Sequence, residues 1–276
     1  MRDRALHISN IPCILYYCGD FSLLKKNALA IVGSRLASAY GLKQARLMAE
    51  ELSQNGLVIV SGMARGIDAA AHQGALGKDG DTIAVLGSGL DLPYPRENSK
   101  LFQEIKEKGV VISEFPLGTK PESFHFPIRN RIISGLSLGV FVIEAKARSG
   151  SLITSDLALE QGKEVFALPG PITSPNSIGS LRLIQQGAKL VIYPQDILED
   201  LGYEYKTSVY NKQKEVINNI EGQAKVILHM LSWEPVNLDY ILESQFQNKE
   251  EVLMVLLELE LQGLIKQLPG KYYVRV

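Results

Sequence analysis

The feature that most constrains the fold is a series of seven short apolar segments between residues 29 and 193. Each is rich in β-branched side chains and apolar without alternation, which is typical of parallel strands buried on both faces. We therefore predict strands at residues 29–32, 57–60, 82–86, 110–112, 140–143, 165–168 and 190–193.

The stretches between these segments have helical spacing, as in the first, where Leu42, Ala45, Met48, Ala49 and Leu52 share one face before Asn55-Gly56 ends the helix. Strands that alternate with helices predict right-handed βαβ units and an open, doubly wound, mostly parallel sheet. Ligands of such sheets bind at the carboxyl ends of the strands.

The pattern changes after residue 201, and we predict three parts: an α/β domain at 1–201, a polar linker at 202–214 and a small domain at 215–276. In the small domain we expect three helices, including 238–243 and 249–262, and then two strands around Pro269-Gly270. This order is that of a winged helix.

The bulk composition excludes several classes of protein. The formal net charge of the 276 residues is −1, so a nucleic-acid site would have to be a local basic patch. The cysteines, Cys13 and Cys18, are expected to be reduced packing residues, and we predict no metal and no cofactor. Without a membrane span or a signal peptide in the sequence, we expect a cytoplasmic protein.

The first motif, Gly33-Ser34-Arg35, directly follows a predicted strand and precedes a helix. Backbone N–H groups at such a turn can approach a phosphate, which Arg35 can clamp with two hydrogen bonds. The dinucleotide pattern G-x-G-x-x-G and the Walker pattern are both absent. The alternative is a tight turn with an exposed arginine.

Two more motifs follow strands, and the first of them, residues 61–68, again pairs small residues with a base. Asp68 is interpreted as the cap of the next helix, and His72 as a packed or half-exposed residue. The other motif begins at Gly87 and runs to Arg96, which could reach a phosphate. Candidate DNA contacts are Ser61, Gly62, Arg65, Gly66 and Arg96.

The last two motifs, residues 124–131 and 144–154, combine aromatic rings, basic side chains and hydroxyl groups. This combination suits a single-stranded nucleic acid. In the alternative interpretation Phe126 belongs to the core and Arg129 is a structural ion-pair partner, oriented by Glu144. The candidate residues are Phe126, Arg129, Asn130, Arg131, Lys146, Ser149, Gly150 and Ser151.

Together with Arg148, these loops place seven bases on one edge of the sheet, with no nucleophile–base–acid arrangement beside them. This favours a binding protein over an enzyme. The runner-up is a nucleotide hydrolase on a related scaffold, similar to the phosphoribohydrolases. Their Pro-Gly-Gly-x-Gly-Thr loop has its nearest counterpart at Leu168-Pro169-Gly170-Pro171-Ile172-Thr173, which lacks the glycine pair.

Four segments, taken in this order, resemble the DNA-processing protein DprA (Smf) family: residues 33–35, 61–68, 126–135 and 149–154. The resemblance covers residues 11–200. The resemblance implies an extended Rossmann fold, a winged-helix module, single-stranded DNA binding without catalysis, and loading of the RecA recombinase in natural transformation and recombination. It places the family's key DNA-binding arginine on Arg35 and a further basic position on Arg96. It also implies a homodimer whose contact face lies in 181–190, with Leu181, Ile184 and Leu190 as apolar contacts.

Two features of this chain depart from what the family would suggest. Many members begin with a helical domain, and here we expect none. Residues 212–276 carry 7 bases and 9 acids, a net charge of −2, which is unusual for a winged helix that binds duplex DNA. We therefore expect this module to bind a partner or to have a regulatory role at least as readily as it binds duplex DNA.

Overall fold

The computed structural model describes residues 11–205, 222–232, 234–243 and 249–275. The chain divides into two compact units, Met1–Thr207 and Ser208–Val276. The predicted linker, 202–214, is described only as far as residue 205. No helix among the described residues has both the length and the hydropathy needed to cross a membrane.

The first unit is built on an eight-stranded sheet with the strand order β1-β5-β4-β3-β2-β6-β7-β8. All neighbouring strands are parallel except β1, which pairs with β5 in the antiparallel direction. The strands are β1 (Tyr16–Gly19), β2 (Ala28–Val32), β3 (Val58–Ser61), β4 (Thr82–Leu86), β5 (Val110–Ser113), β6 (Gly139–Val142), β7 (Glu164–Ala167) and β8 (Lys189–Leu190).

Among the described residues, seven helices connect or follow these strands. They are α1 (Ala39–Gln54), α2 (Ile67–Leu76), α3 (Ser99–Lys108), α4 (His125–Leu136), α5 (Gly150–Glu160), α6 (Ile178–Gln185) and α7 (Pro194–Asp200). The predicted inner face of α1 is confirmed, because Ala45, Met48, Ala49 and Leu52 are fully buried. The parallel pairing of the strands, with helices between them, also confirms the predicted doubly wound, mostly parallel sheet.

Three details of the sequence prediction are wrong. The antiparallel edge strand β1 was not predicted. The last apolar segment forms a strand only at Lys189–Leu190, because Tyr193 already caps α7. Cys13 is exposed and is therefore not a packing residue, whereas Cys18 is half-buried.

The strand order creates a crevice at one place in the sheet. The chain passes from β2 through β3 and β4 to β5 on one side, and then returns to place β6 on the other side of β2. The connections that leave β2 and β6 therefore run in opposite directions. Such a topological switch point is where open α/β sheets bind their ligands.

The second unit has the predicted winged-helix order of three helices followed by two strands, and it also contains a two-residue strand, Val236–Asn237, that was not predicted. It comprises α8 (Gly222–Met230), β9 (Val236–Asn237), α9 (Leu238–Glu243), α10 (Lys249–Leu261), β10 (Ile265–Leu268) and β11 (Tyr272–Arg275). The three strands form a sheet in the order β10-β11-β9. Its own core includes Ile227, Ile241, Val252, Leu256 and Tyr273.

Candidate functional site

The turn after β2 is held by hydrogen bonds from three directions. The Ser34 N–H donates to the carbonyl oxygen of Glu144 at 2.7 Å, and the Ile67 N–H donates to the Ser34 carbonyl oxygen at 3.2 Å. Two residues after Ser34, the carbonyl oxygen of Leu36 accepts a hydrogen bond from the Asn176 side chain at 3.1 Å. Arg35 therefore projects from a fixed backbone, although its own side chain is exposed.

Two glycines allow this close packing. A Cβ atom on Gly33 would lie 2.6 Å from a side-chain carbon of Ile67, and one on Gly66 would lie 2.2 Å from the Ser34 carbonyl oxygen. Gly66 also has a φ of +75°, which other residues rarely adopt. Residues 66 and 67 of the second motif therefore pack directly against the Gly33-Ser34 turn.

The side wall of the site is α4, whose three consecutive residues Arg129, Asn130 and Arg131 point in different directions because a helix turns by about 100° per residue. Arg129 is buried, and its guanidinium donates to the carbonyl oxygens of Gly62, at 2.6 Å, and Val85. Burial lowers the pKa of Arg129 to about 10, although the nearby Asp68 carboxylate acts to raise it. Arg129 therefore ties α4 to the ends of β3 and β4.

The opposite wall is the N-terminus of α5, which follows the loop after β6. The Ser149 hydroxyl caps the helix by accepting a hydrogen bond from the Ser151 N–H at 3.4 Å. Asn130 donates to the Gly150 carbonyl oxygen at 3.4 Å and so connects this wall to α4. The free N–H groups of a helix N-terminus carry partial positive charge and favour an anion.

These elements enclose a pocket of about 430 Å³ between the carboxyl ends of β2 and β6. That volume lies within the usual range for ligand sites. The pocket lining includes ten of the sixteen residues predicted to contact DNA: Gly33, Ser34, Arg35, Phe126, Arg129, Asn130, Lys146, Ser149, Gly150 and Ser151.

The charge of the pocket is strongly positive. Four bases and one acid line it, and three of the bases, Arg35, Lys146 and Arg148, are exposed. Within the described part of the chain, none of these three forms an ion pair. The Arg35 guanidinium lies over the Phe126 ring, 5.1 Å from its centroid. The chain therefore does carry a local basic patch despite its net charge of −1.

The other six candidate residues lie outside the pocket lining. The Ser61 hydroxyl donates to the Ile31 carbonyl oxygen, Arg65 pairs with Glu97, and Arg131 pairs with Glu114 at 2.6 Å. Gly62 and Gly66 pack beneath the site. Arg96 is exposed in a short 3₁₀ turn, and its contact with DNA stays a prediction.

The roles predicted for two acids are wrong. Asp68 does not cap α2; it accepts hydrogen bonds from the N–H groups of Gly62, at 3.2 Å, and Ala64, at 3.4 Å. Burial raises the pKa of its carboxyl, which Arg129 partly opposes. Glu144 does not orient Arg129; it accepts hydrogen bonds from the N–H and the hydroxyl of Ser38 and so fixes the start of α1.

Several residues of the site were missed by the sequence analysis. Leu36 and Ile153 are exposed apolar side chains in the pocket lining. Tyr94 lies beside the site, with its ring centroid 5.8 Å from that of Phe126. Leu36 could have been found because it adjoins Arg35, but Tyr94 required the folded position of the loop after β4.

Comparison with known families identifies the first unit and the second separately. Residues 3–202 match the family model described as "DNA recombination-mediator protein A". The chain belongs to this family. Residues 216–271 match the model of the DprA winged-helix domain, in agreement with the order of elements in the second unit.

Curated relatives and solved structures agree with this assignment. The chain is 44% identical to Protein Smf of Escherichia coli, over 98% of this chain and 73% of the relative. It is 50% identical to the DNA processing protein DprA of Streptococcus pneumoniae, over 71% of this chain and 69% of the relative.

The crystal structure of that pneumococcal protein matches with a TM-score of 0.70 and 49% identity, over 74% of this chain and 71% of the other. DNA processing protein A of Helicobacter pylori, described for its single-stranded DNA binding mode, matches with a TM-score of 0.68 and 34% identity. That match covers 73% of this chain and 93% of the Helicobacter protein.

Proposed function

We propose that this chain binds single-stranded DNA in the pocket between β2 and β6, without a catalytic step. The observation that carries the proposal is the set of exposed bases Arg35, Lys146 and Arg148 around one pocket. Phosphate groups are the natural partners of such bases, and a neighbouring helix N-terminus adds to the attraction. The Helicobacter relative, described as binding single-stranded DNA, supports the same ligand here.

The apolar lining favours a single strand over a duplex. Leu36, Ile153 and Phe126 lie among the basic side chains of the pocket, where they can contact the faces of unstacked nucleobases. In a duplex those faces are hidden by stacking, so these apolar side chains would find no base face to contact. Proteins that bind single-stranded DNA commonly combine basic side chains, which contact the phosphate backbone, with aromatic rings, which stack on the nucleobases.

The path of the strand beyond the pocket is proposed to run from Phe126 over Tyr94 towards Arg96. The rings of Phe126 and Tyr94 are 5.8 Å apart and inclined by 34°, so they form a continuous aromatic surface. Arg96 is two residues from Tyr94 in sequence and is exposed. A second nucleotide could therefore stack on Tyr94 while its phosphate reaches Arg96.

Salt dependence tests this proposal. Each phosphate contact made by a single strand contributes a slope of about −0.7 to log K against log salt. Three exposed bases in the pocket and Arg96 on the proposed path therefore predict a slope of about −2.8 for labelled oligothymidine, and Lys146→Ala with Arg148→Ala should reduce its magnitude by about 1.4. A double variant with the wild-type slope would overturn the assignment. Arg46→Ala is the matched control, since Arg46 binds Gln73 away from the pocket.

The absence of catalysis is proposed because the one acid that lines the pocket, Asp68, is held by backbone N–H groups and faces Arg129. Incubation with nucleoside monophosphates tests the runner-up, a nucleotide hydrolase. No free base should be released. Release of free base that is lost in Asp68→Asn would establish the enzyme instead.

The biological role proposed is loading of the RecA recombinase onto DNA in natural transformation and recombination. The support is membership of the recombination-mediator family together with the proposed ligand. On DNA coated with single-strand binding protein, the wild type should accelerate RecA-dependent strand exchange. Exchange that is equally fast without the protein, or with Arg35→Ala, would contradict this role.

Self-association as a homodimer is proposed through α6 and β8. Leu181 and Ile184 are half-buried, Leu190 is exposed, and β8 is the last strand of the sheet. Leu190→Lys should shift the protein towards monomer in sedimentation experiments. An unchanged mass would place the contact elsewhere. The domain limits 1–201, 202–214 and 215–276 remain our proposed division.

A further inference from the structure

Helix α10 of the second unit carries apolar residues on two opposite faces. One face packs in the core of the unit, where Val252, Leu256 and Leu259 are buried. The other presents what we term the outer stripe, in which the exposed fractions are 45% for Leu253, 65% for Met254, 58% for Leu257 and 80% for Leu261. An isolated exposed leucine is ordinary, but a contiguous apolar stripe marks an interaction surface.

The spacing of the stripe fits a helical partner. Its members are separated by one, three and four residues, so that they lie along one side of α10 over about two turns. Side chains arranged in this way provide ridges and grooves into which a second amphipathic helix packs.

The charges around the stripe decide what kind of partner fits. α10 contains one lysine, Lys249, and four glutamates, a net charge of −3. Glu258 directly follows Leu257, and Glu260 directly precedes Leu261. A bound helix should therefore carry lysine or arginine beside its apolar residues, because rim charges of opposite sign accelerate and select the encounter.

The same charges disfavour two other occupants. In DNA-binding winged helices the recognition helix lies in the major groove, where the carboxylates of α10 would face phosphates. A second copy of this chain would bring a second set of four glutamates against the first.

We propose that the outer stripe of α10 is a docking site for a basic amphipathic helix of a partner protein. This goes beyond the binding of DNA, and it does not depend on it, since the stripe belongs to the second unit and the pocket to the first.

The test uses the full chain and a synthetic peptide of about five helical turns, made of leucine and lysine with all leucines on one face. A second peptide has the same composition in scrambled order, and a third has glutamate in place of lysine. Fluorescence anisotropy should show binding of the first peptide alone, and hydrogen exchange should slow in α10 when it binds. Equal binding of the scrambled peptide would overturn the proposal.

The variant Leu253→Ser with Leu257→Ser should weaken binding of the peptide by about 10-fold or more, as loss of anchor residues does. Glu258→Lys, which leaves the apolar residues in place, should weaken it as well. The matched control is Val226→Ser with Tyr240→Ser, which changes two exposed apolar residues of α8 and α9. Thermal unfolding verifies that each variant is folded.

Three further results would overturn the proposal: unchanged peptide binding in both the stripe variant and Glu258→Lys, equal loss in the control, or no binding by the wild type. Sedimentation and a duplex oligonucleotide test the other occupants. A lower mass of the stripe variant would assign the surface to a second copy. Loss of duplex binding in that variant would assign it to DNA.

Discussion

At the scale of single residues, two of the three arginines that line the pocket have different roles. Arg129 is buried and donates to two backbone carbonyl oxygens, so it holds helix α4 against the sheet. Arg35 is exposed, and its guanidinium lies over the face of the Phe126 ring. The sequence shows both as arginines beside small or aromatic residues. Their difference depends on how deeply each lies, which only the folded chain determines.

Tyr94 provides a prediction for base stacking. Replacing it by leucine keeps an apolar side chain but removes the ring that continues the Phe126 surface. Stacking contributes about 1–3 kcal/mol per base, so affinity for oligothymidine should fall by about 5-fold or more. Tyr17→Leu is the control, since Tyr17 is an exposed tyrosine of the edge strand β1. Equal affinities of the wild type and Tyr94→Leu in anisotropy titrations would remove Tyr94 from the path.

His72 provides a prediction for pH. Its Nδ1 lies 2.7 Å from the Thr82 hydroxyl, which itself donates to the Ile59 carbonyl oxygen, so Nδ1 carries the proton. Burial lowers the pKa of His72 to about 3. Between its unfolded pKa of about 6.5 and pH 3 the unfolded chain binds one more proton there. The free energy of unfolding should therefore fall with falling pH, by about 1.4 kcal/mol per unit from this residue.

His72→Asn separates this contribution from those of other groups, because asparagine can still donate to Thr82 but does not titrate. Chemical denaturation at several pH values between 4 and 6 should show a shallower decline for the variant. Parallel declines for the two proteins would mean that His72 is not responsible.

At the scale of elements, the seven apolar segments predicted β2 to β8 in the correct order along the chain. They could not predict the order within the sheet, because every buried parallel strand has the same pattern. The site depends on that order: Gly33 and Glu144 meet only because β6 lies beside β2. Strand β1 was missed because its residues Tyr16–Gly19 lie at an antiparallel edge and are only partly buried.

The start of α1 provides a prediction at this scale. The Ser38 hydroxyl accepts from the Gly41 N–H at 3.0 Å and donates to Glu144 at 2.6 Å, next to the Arg35 turn. Ser38→Ala should cost about 1 kcal/mol of stability through the lost cap. It should also lower the affinity for oligothymidine by a few fold, since the turn is less well fixed.

The comparison for Ser38 is Asp20→Ala. Asp20 caps the 3₁₀ helix Phe21–Lys25 by accepting from the Ser22 N–H, and it lies outside the pocket lining. Its loss should reduce stability without changing the binding of DNA. If the two variants bound DNA equally well, the cap of α1 would have no part in positioning Arg35.

At the scale of the whole molecule, the two units differ in charge. Residues 1–207 carry 22 bases and 21 acids, and residues 208–276 carry 7 and 9. All the bases that line the pocket lie in the first unit. A chain ending at residue 207 should therefore bind oligothymidine within a few fold of the intact protein and with the same salt slope. An affinity more than 10-fold lower would assign part of the DNA site to the second unit.

The most direct test of the DNA site is the affinity of Arg35→Ala for oligothymidine, measured at fixed salt beside Arg35→Lys and Arg46→Ala. Loss of a charge-assisted contact costs about 1.5–3 kcal/mol, so Arg35→Ala should bind about 10- to 100-fold more weakly. Arg35→Lys should be intermediate because lysine lacks the planar fork, and Arg46→Ala should bind as the wild type does. Wild-type affinity in Arg35→Ala, with an unchanged unfolding temperature, would contradict the site.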